Sequence, residues 1–170
     1  MNNYEKLLAE KAKNDELLRA RLDVQGDHGH HYEEVVERNG VTWINHSIAT
    51  NIELTWAALY DVPGPVLLII GGKDGAKNPE KIEGLVAEKV DTIICLGTAH
   101  WKYFNAFLDS AAMIVQASGL AEAVDFAAIL VNERIKTVLF APGCPGSDPL
   151  ENYRNRGNSF RKLIKEKFEK

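Results

Sequence analysis

The segment Pro65 to Ile70, PVLLII, is apolar at every position and runs directly into Gly71-Gly72-Lys73-Asp74-Gly75. Six residues are too few to cross a bilayer. A strand with apolar side chains on both faces has to be covered from both sides, which is the situation inside a parallel sheet flanked by helices. A glycine turn at its carboxyl end gives such a strand a tight exit. Ligands in open α/β sheets sit at the carboxyl ends of the strands, so Gly72 and Lys73 mark a candidate site. The turn matches neither GxxxxGK[ST] nor GxGxxG, and those rules therefore assign it no triphosphate or dinucleotide.

The flanking sequence alternates strand and helix patterns around this run. Tyr32 to Arg38 reads as a strand, Asn39-Gly40 as a hairpin turn, and Val41 to Ile44 as the returning strand. Asn45 to Ala49 is a polar turn. Thr50 is then the expected N-cap of a helix, with Glu53 three residues on completing a capping box and Ile52, Trp56 and Leu59 forming its apolar stripe. After the glycine turn, Asn78-Pro79-Glu80 opens a helix with Ile82, Leu85 and Val86 inward. Thr92 to Leu96 is a second buried strand, Trp101 to Leu108 a short helix, and Met113 to Gln116 a short strand. Leu120 to Val131 is a helix with Ala123, Val124, Ala127 and Ile129 among its apolar positions. Thr137 to Phe140 is another all-apolar strand, which delivers the loop Ala141 to Asp148 to the same edge as the Gly71 turn. The last helix spans Tyr153 to Phe168, with Phe160, Leu163, Ile164 and Phe168 inward. This order predicts a Rossmann-like α/β domain over 29–170, a mostly parallel sheet flanked by helices that begins with a β-hairpin.

Residues 1–28 are expected to add an amphipathic helix and a linker. Tyr4, Leu7, Leu8, Leu18 and Leu22 share one face, which either packs on this domain or docks on a second copy or a partner through residues 2–22.

A chain of 170 residues with 45% hydrophobic content supports one domain with its own core. A net charge of −4 and a pI near 5.7 provide no broad positive field, which argues against nucleic acid as a partner. No run reaches membrane-spanning length and the amino terminus lacks a signal-peptide pattern, so the expected location is the cytoplasm, away from membranes. Two cysteines, Cys95 and Cys144, make neither a disulfide framework nor a CxxC zinc site. Three histidines within Gly26 to His31 invite a metal reading, but no HExxH or cysteine frame accompanies them, and no metal is assigned. Cys144 is read as a packed thiol with no base beside it, and His46 and His100 as surface histidines.

Three segments taken together, HHYEEVVERNGVTWINHSIATN, PVLLIIGGKDG and VLFAPGCPGSDPLENYRNRGNSF, resemble in order and spacing the carboxy-terminal domain of the Mur ligases, nearest the D-glutamate-adding type. The resemblance runs from about Gly29 to the carboxyl end. It implies a domain that closes over the site of a three-domain enzyme, one that uses ATP and Mg2+ to join an amino acid to a UDP-muramoyl precursor. By resemblance, His30, Ser47, Thr50 and Asn51 match family positions, whereas a nucleotide-approaching arginine is His31, a ribose-contacting aspartate is His46, and a phosphate-reaching lysine is Ile48. Lys73 and Lys77 flank the place of a further lysine. In the late motif Pro142, Cys144, Asp148, Asn152, Arg156, Gly157 and Phe160 hold, Tyr153 keeps an aromatic, and a small hydroxyl residue has become Gly146 beside Ser147. Exchanging charged groups for His46 and Ile48 removes charge-assisted contacts worth roughly 1.5–3 kcal/mol each. The expectation is a module that binds no ATP or Mg2+ alone and catalyses nothing alone. It would hold a small carboxylate or a cell-wall precursor near His30, His31, His46, Ser47, Thr50, Asn51, Gly72, Lys73, Gly146, Ser147 and Tyr153. The alternative is the lid subunit of a split ligase whose P-loop and UDP-sugar domains lie on another chain.

Overall fold

A computed structural model describes residues 2–25, 29–72, 74–111, 113–146 and 153–169, the side chains of 19–25 excepted. Lys73, Ser147, Asp148 and Asn152, which the sequence places near the site, and residues 26–28 of the histidine-rich turn lie outside what is described, as does the side chain of Leu22 in the first helix's stripe. Helix α1 (Asn3–Gln25) comes first, followed by the hairpin β1 (Glu33–Arg38) and β2 (Val41–Asn45). The hairpin turn has Asn39 at φ 53° and Gly40 at φ 78°, the pair of positive values that a two-residue turn matched to strand twist requires. The remaining elements alternate: α2 (Ile52–Asp61), β3 (Val66–Gly71), a 3-10 turn (Pro79–Ile82) leading into α3 (Glu83–Lys89), β4 (Val90–Leu96), α4 (His100–Phe107), β5 (Met113–Ala117), α5 (Leu120–Leu130), β6 (Thr137–Phe140) and α6 (Tyr153–Phe168).

The six strands form one sheet in the order β1-β2-β6-β3-β4-β5. Only β1 with β2 is antiparallel. Every residue of β3 is buried, as its unbroken apolar run requires. Successive side chains along the strands feed two cores. Leu68, Ile70, Ile93, Cys95 and Leu139 face one side, where Trp56, Leu59, Ile82, Val86, Tyr103 and Phe107 from α2, the 3-10 turn, α3 and α4 cover them. Leu67, Ile69, Ile94, Val138 and Phe140 face the other, under Val124 and Ala127 of α5 and Phe160 and Ile164 of α6. Phe140 and Phe160 stack with centroids 4.9 Å apart. Burial pushes the Cys95 thiol up to about 12, so it is a packing group. Ile129, apolar in the α5 pattern, is exposed.

The stripe of α1 is used within the domain. Leu7 is buried in the first core, Leu8 and Leu18 pack against it, Tyr4 meets Trp56 edge-on at 5.7 Å, and Lys11 pairs with Asp61 at the end of α2 at 3.2 Å. These side chains pack within the domain, chiefly on α2, while Tyr4 and Leu17 keep much of their surface exposed. Among the described residues no helix is long and apolar enough to cross a membrane.

Candidate functional site

The carboxyl ends of β2, β6, β3, β4 and β5 lie along one edge, and the loops leaving β3 and β6 meet there. The Gly71 N–H donates to Pro142 O at 2.8 Å, and the Gly143 N–H to Ala49 O at 2.8 Å, which ties three exits together. Gly71 has φ 110°, and a Cβ there would stand 2.8 Å from Leu96 O, so only glycine lets the chain turn against β4.

The segment after β2 is where the structure departs most from the sequence reading. Asn45 to Ala49, expected as a polar surface turn, is buried at every position. Asn45 sits at the centre: its amide donates to Glu33 Oε2 at 2.8 Å and Gly157 O at 3.3 Å and meets His30 Nδ1 at 3.3 Å, while its Oδ1 accepts from the Ser47 N–H. Helix α6 approaches this turn through Gly157. A Cβ there would lie 2.2 Å from Ser47 Oγ and 2.3 Å from His30 Nδ1, closer than any side chain tolerates. Arg161 of the same helix grips Glu33 with Nε to Oε1 at 2.6 Å and Nη2 to Oε2 at 3.0 Å.

His46, expected at the surface, is 1% exposed. The cause is the tuck of the turn under Tyr32: the Tyr32 N–H donates to His46 Nδ1 at 3.1 Å, and the two rings lie 4.3 Å apart. Burial, with a smaller push from His31, lowers its pKa to about 3, so the ring is neutral. Ile48 is 4% exposed and belongs to the same buried turn.

Helix α2 begins one residue later than its expected cap. Asn51, not Thr50, is the N-cap, its Oδ1 accepting from the Leu54 N–H at 2.9 Å. The Glu53 carboxylate of the expected capping box instead accepts from Lys81 Nζ at 2.8 Å.

Two hollows open along the edge and share Pro145. The first, about 480 Å3, is lined by Thr50, Asn51, Asp74, Lys77, Gly143 and Cys144 among others. The second, about 390 Å3, is lined by Gly71, Gly97, Ser118, Gly119, Phe140 and Arg156 among others, with Gly72 and Gly146 on its wall. The expected site residues therefore divide. Thr50 and Asn51 go to the first hollow and Gly72 and Gly146 to the second. His30, His31, His46, Ser47 and Tyr153 line neither; His30 and Tyr153 meet edge-on at 5.8 Å. Cys144 is 3% exposed and burial raises its pKa, with no base among its described contacts.

Arg156 was legible only as part of a motif, and the structure gives it a definite task. Its Nη1 donates to Cys144 O at 2.7 Å and its Nη2 to Ser47 O at 3.0 Å and Ala49 O at 3.4 Å. It thus stitches the turn after β2 to the loop after β6 while forming part of the second hollow. Burial lowers its pKa from the ordinary arginine value.

UDP-N-acetylmuramoylalanine--D-glutamate ligase of Cytophaga hutchinsonii is 37% identical over 135 residues, 79% of this chain and 30% of the relative. The enzymes of the same name from Chlorobium phaeobacteroides and Porphyromonas gingivalis are 38% and 36% identical, each over 88% of this chain and covering 32% and 33% of the relatives. The chain therefore spans about a third of the length of the curated relatives it matches. Among solved structures, the MurF ligase of Thermotoga maritima in complex with ADP aligns over 81% of this chain and 32% of its own, at 14% identity and a TM-score of 0.45. No family-level sequence profile matches.

Proposed function

From the premise that this chain belongs to the Mur ligase family, as a homologue of about a third of its D-glutamate-adding members and in keeping with a carboxy-terminal domain, we propose that these 170 residues form a ligand-binding module that does not run ATP-dependent ligation by itself. The observation that carries this reading is the burial of His46 and Ile48, which stand where the family resemblance puts a ribose-contacting aspartate and a phosphate-reaching lysine. A group that grips nucleotide has to reach the solvent-facing side of the edge. These two are 1% and 4% exposed, one a neutral ring and the other a hydrocarbon.

The first hollow keeps what a small amino acid needs. Lys77 supplies a cation for a carboxylate, Asp74 an anion for an ammonium, and the start of α2 adds the positive end of a helix dipole. Glu53 is already engaged by Lys81, so its charge does not oppose an incoming carboxylate. The proposed ligand is D-glutamate or a similar small carboxylate, held without nucleotide.

Thermal unfolding in the presence of D-glutamate, ATP with Mg2+, and UDP-N-acetylmuramoylalanine tests this. D-Glutamate raises the melting temperature, since saturation at a hundredfold excess over Kd stabilises by about 2.7 kcal/mol, and the Lys77→Ala variant loses the response. ATP with Mg2+ gives no shift. ATP turnover by the purified chain, or a D-glutamate response untouched in the Lys77→Ala variant, overturns the reading.

A further inference from the structure

The second hollow has a chemistry of its own. Leu96, Leu120 and Phe140 give it an apolar wall, and Gly71, Gly72 and Gly97 line the rest with backbone. One group on this wall is out of balance. The guanidinium of Arg156 spends both of its terminal nitrogens on the carbonyls of Cys144, Ser47 and Ala49, its Nε is buried with no hydrogen-bond partner, and no carboxylate among the described residues pairs with it. Carbonyl oxygens satisfy donors but do not neutralise a cation, and a desolvated unpaired charge is costly. The acid in this region, Glu122, is half-buried, and its carboxylate already accepts from the Ser118 N–H at 2.6 Å.

We propose that this crevice binds a small organic carboxylate, its apolar body against Leu96, Leu120 and Phe140 and its charge balancing Arg156. The assignment is independent of the amino-acid reading of the first hollow, which shares only Pro145 with it.

Gly119 allows a test that leaves the arginine and its carbonyl bonds untouched. It lines the crevice, its backbone is extended at φ −167°, and a Cβ there meets nothing within 4 Å. Any side chain is therefore accommodated, and an aspartate as N-cap of α5 suits the helix. Isothermal titration of the intact chain uses benzoate, benzyl alcohol and inorganic phosphate as probes. Benzoate binds saturably, and the other two bind at least tenfold more weakly. The Gly119→Asp variant, which adds a negative charge to the lining, weakens benzoate at least tenfold, whereas Gly119→Ala stays within about twofold of the wild type. Cooperative unfolding of both unliganded variants within a few degrees of the wild type shows that the fold is intact, and a preserved D-glutamate response shows that the first hollow is unaffected. Absence of benzoate binding, or equal affinity in the wild type and the Gly119→Asp variant, overturns the proposal. Benzyl alcohol matching benzoate removes the role of the charge, and phosphate matching it removes the role of the apolar wall; either result overturns it too.

Discussion

His46 shows how far a single side chain can depart from its local sequence. It stands between Asn45 and Ser47 in a stretch that reads as polar, and nothing nearby in the chain signals burial. The groups that enclose it, Tyr32 and His31, come from the segment before β1, with ring centroids at 4.3 Å and 5.2 Å. The consequence is a titration with a definite sign. The folded ring protonates near 3, whereas the unfolded ring protonates near 6.5. Between those values the unfolded chain binds the extra proton, so stability is fully present above pH 6.5 and falls as pH drops toward 3, by at most about 1.4 kcal/mol per pH unit. Urea unfolding at stepped pH should therefore show a loss of about 1 kcal/mol between pH 7 and pH 5.5 beyond what other groups contribute. The His46→Asn variant keeps an acceptor for the Tyr32 N–H and should flatten that slope. An unchanged slope in the variant would mean that some other group carries it.

Secondary elements were more legible than the turns between them, and the start of α2 shows why. The apolar runs of β3, β4 and β6 announce strands covered on both faces, and the Asn39-Gly40 pair announces the hairpin, because each signal is local and strong. At α2 two adjacent residues, Thr50 and Asn51, are both good caps, and the sequence spacing to Glu53 favours the wrong one. Competition decided it: Glu53 is drawn to Lys81 of the 3-10 turn, and the Thr50 N–H donates to Ile48 O at 2.8 Å, which leaves Asn51 to begin the helix. The division of the edge into two hollows was equally hidden, since it depends on where the Gly143 to Gly146 loop settles between β3 and β2. The cap assignment is checked by a pair of variants. Asn51→Ala should cost about 0.5–2 kcal/mol in denaturant unfolding, while Thr50→Ala should change stability by no more than about 0.5 kcal/mol. The reverse order would restore the capping box.

Across the whole molecule, the problem the fold has to solve is that its two sides are joined late in the chain. Strand β2 lies beside β6, a partner nearly a hundred residues away, and the edge site exists only when the exits of β2, β3 and β6 are held together. Gly157 allows α6 to approach the β2 turn, Arg161 ties that helix to β1 through Glu33, and Arg156 binds the two loops through three carbonyls. Of these, Arg156 acts directly on the site. A lysine in its place carries the same charge but not the planar fork that reaches Cys144, Ser47 and Ala49 at once, so the substitution separates charge from geometry. Arg156→Lys should lower the unfolding free energy by roughly 1.5–3 kcal/mol, the range for hydrogen bonds to a charged group. Hydrogen exchange should then quicken at residues 46–50 and 141–146 while β5, at the far side of the sheet, keeps its protection. Uniformly faster exchange over the sheet would instead make Arg156 a part of global stability, and unchanged exchange at both loops would show that the loops hold each other through Gly71 to Pro142 and Gly143 to Ala49 without it.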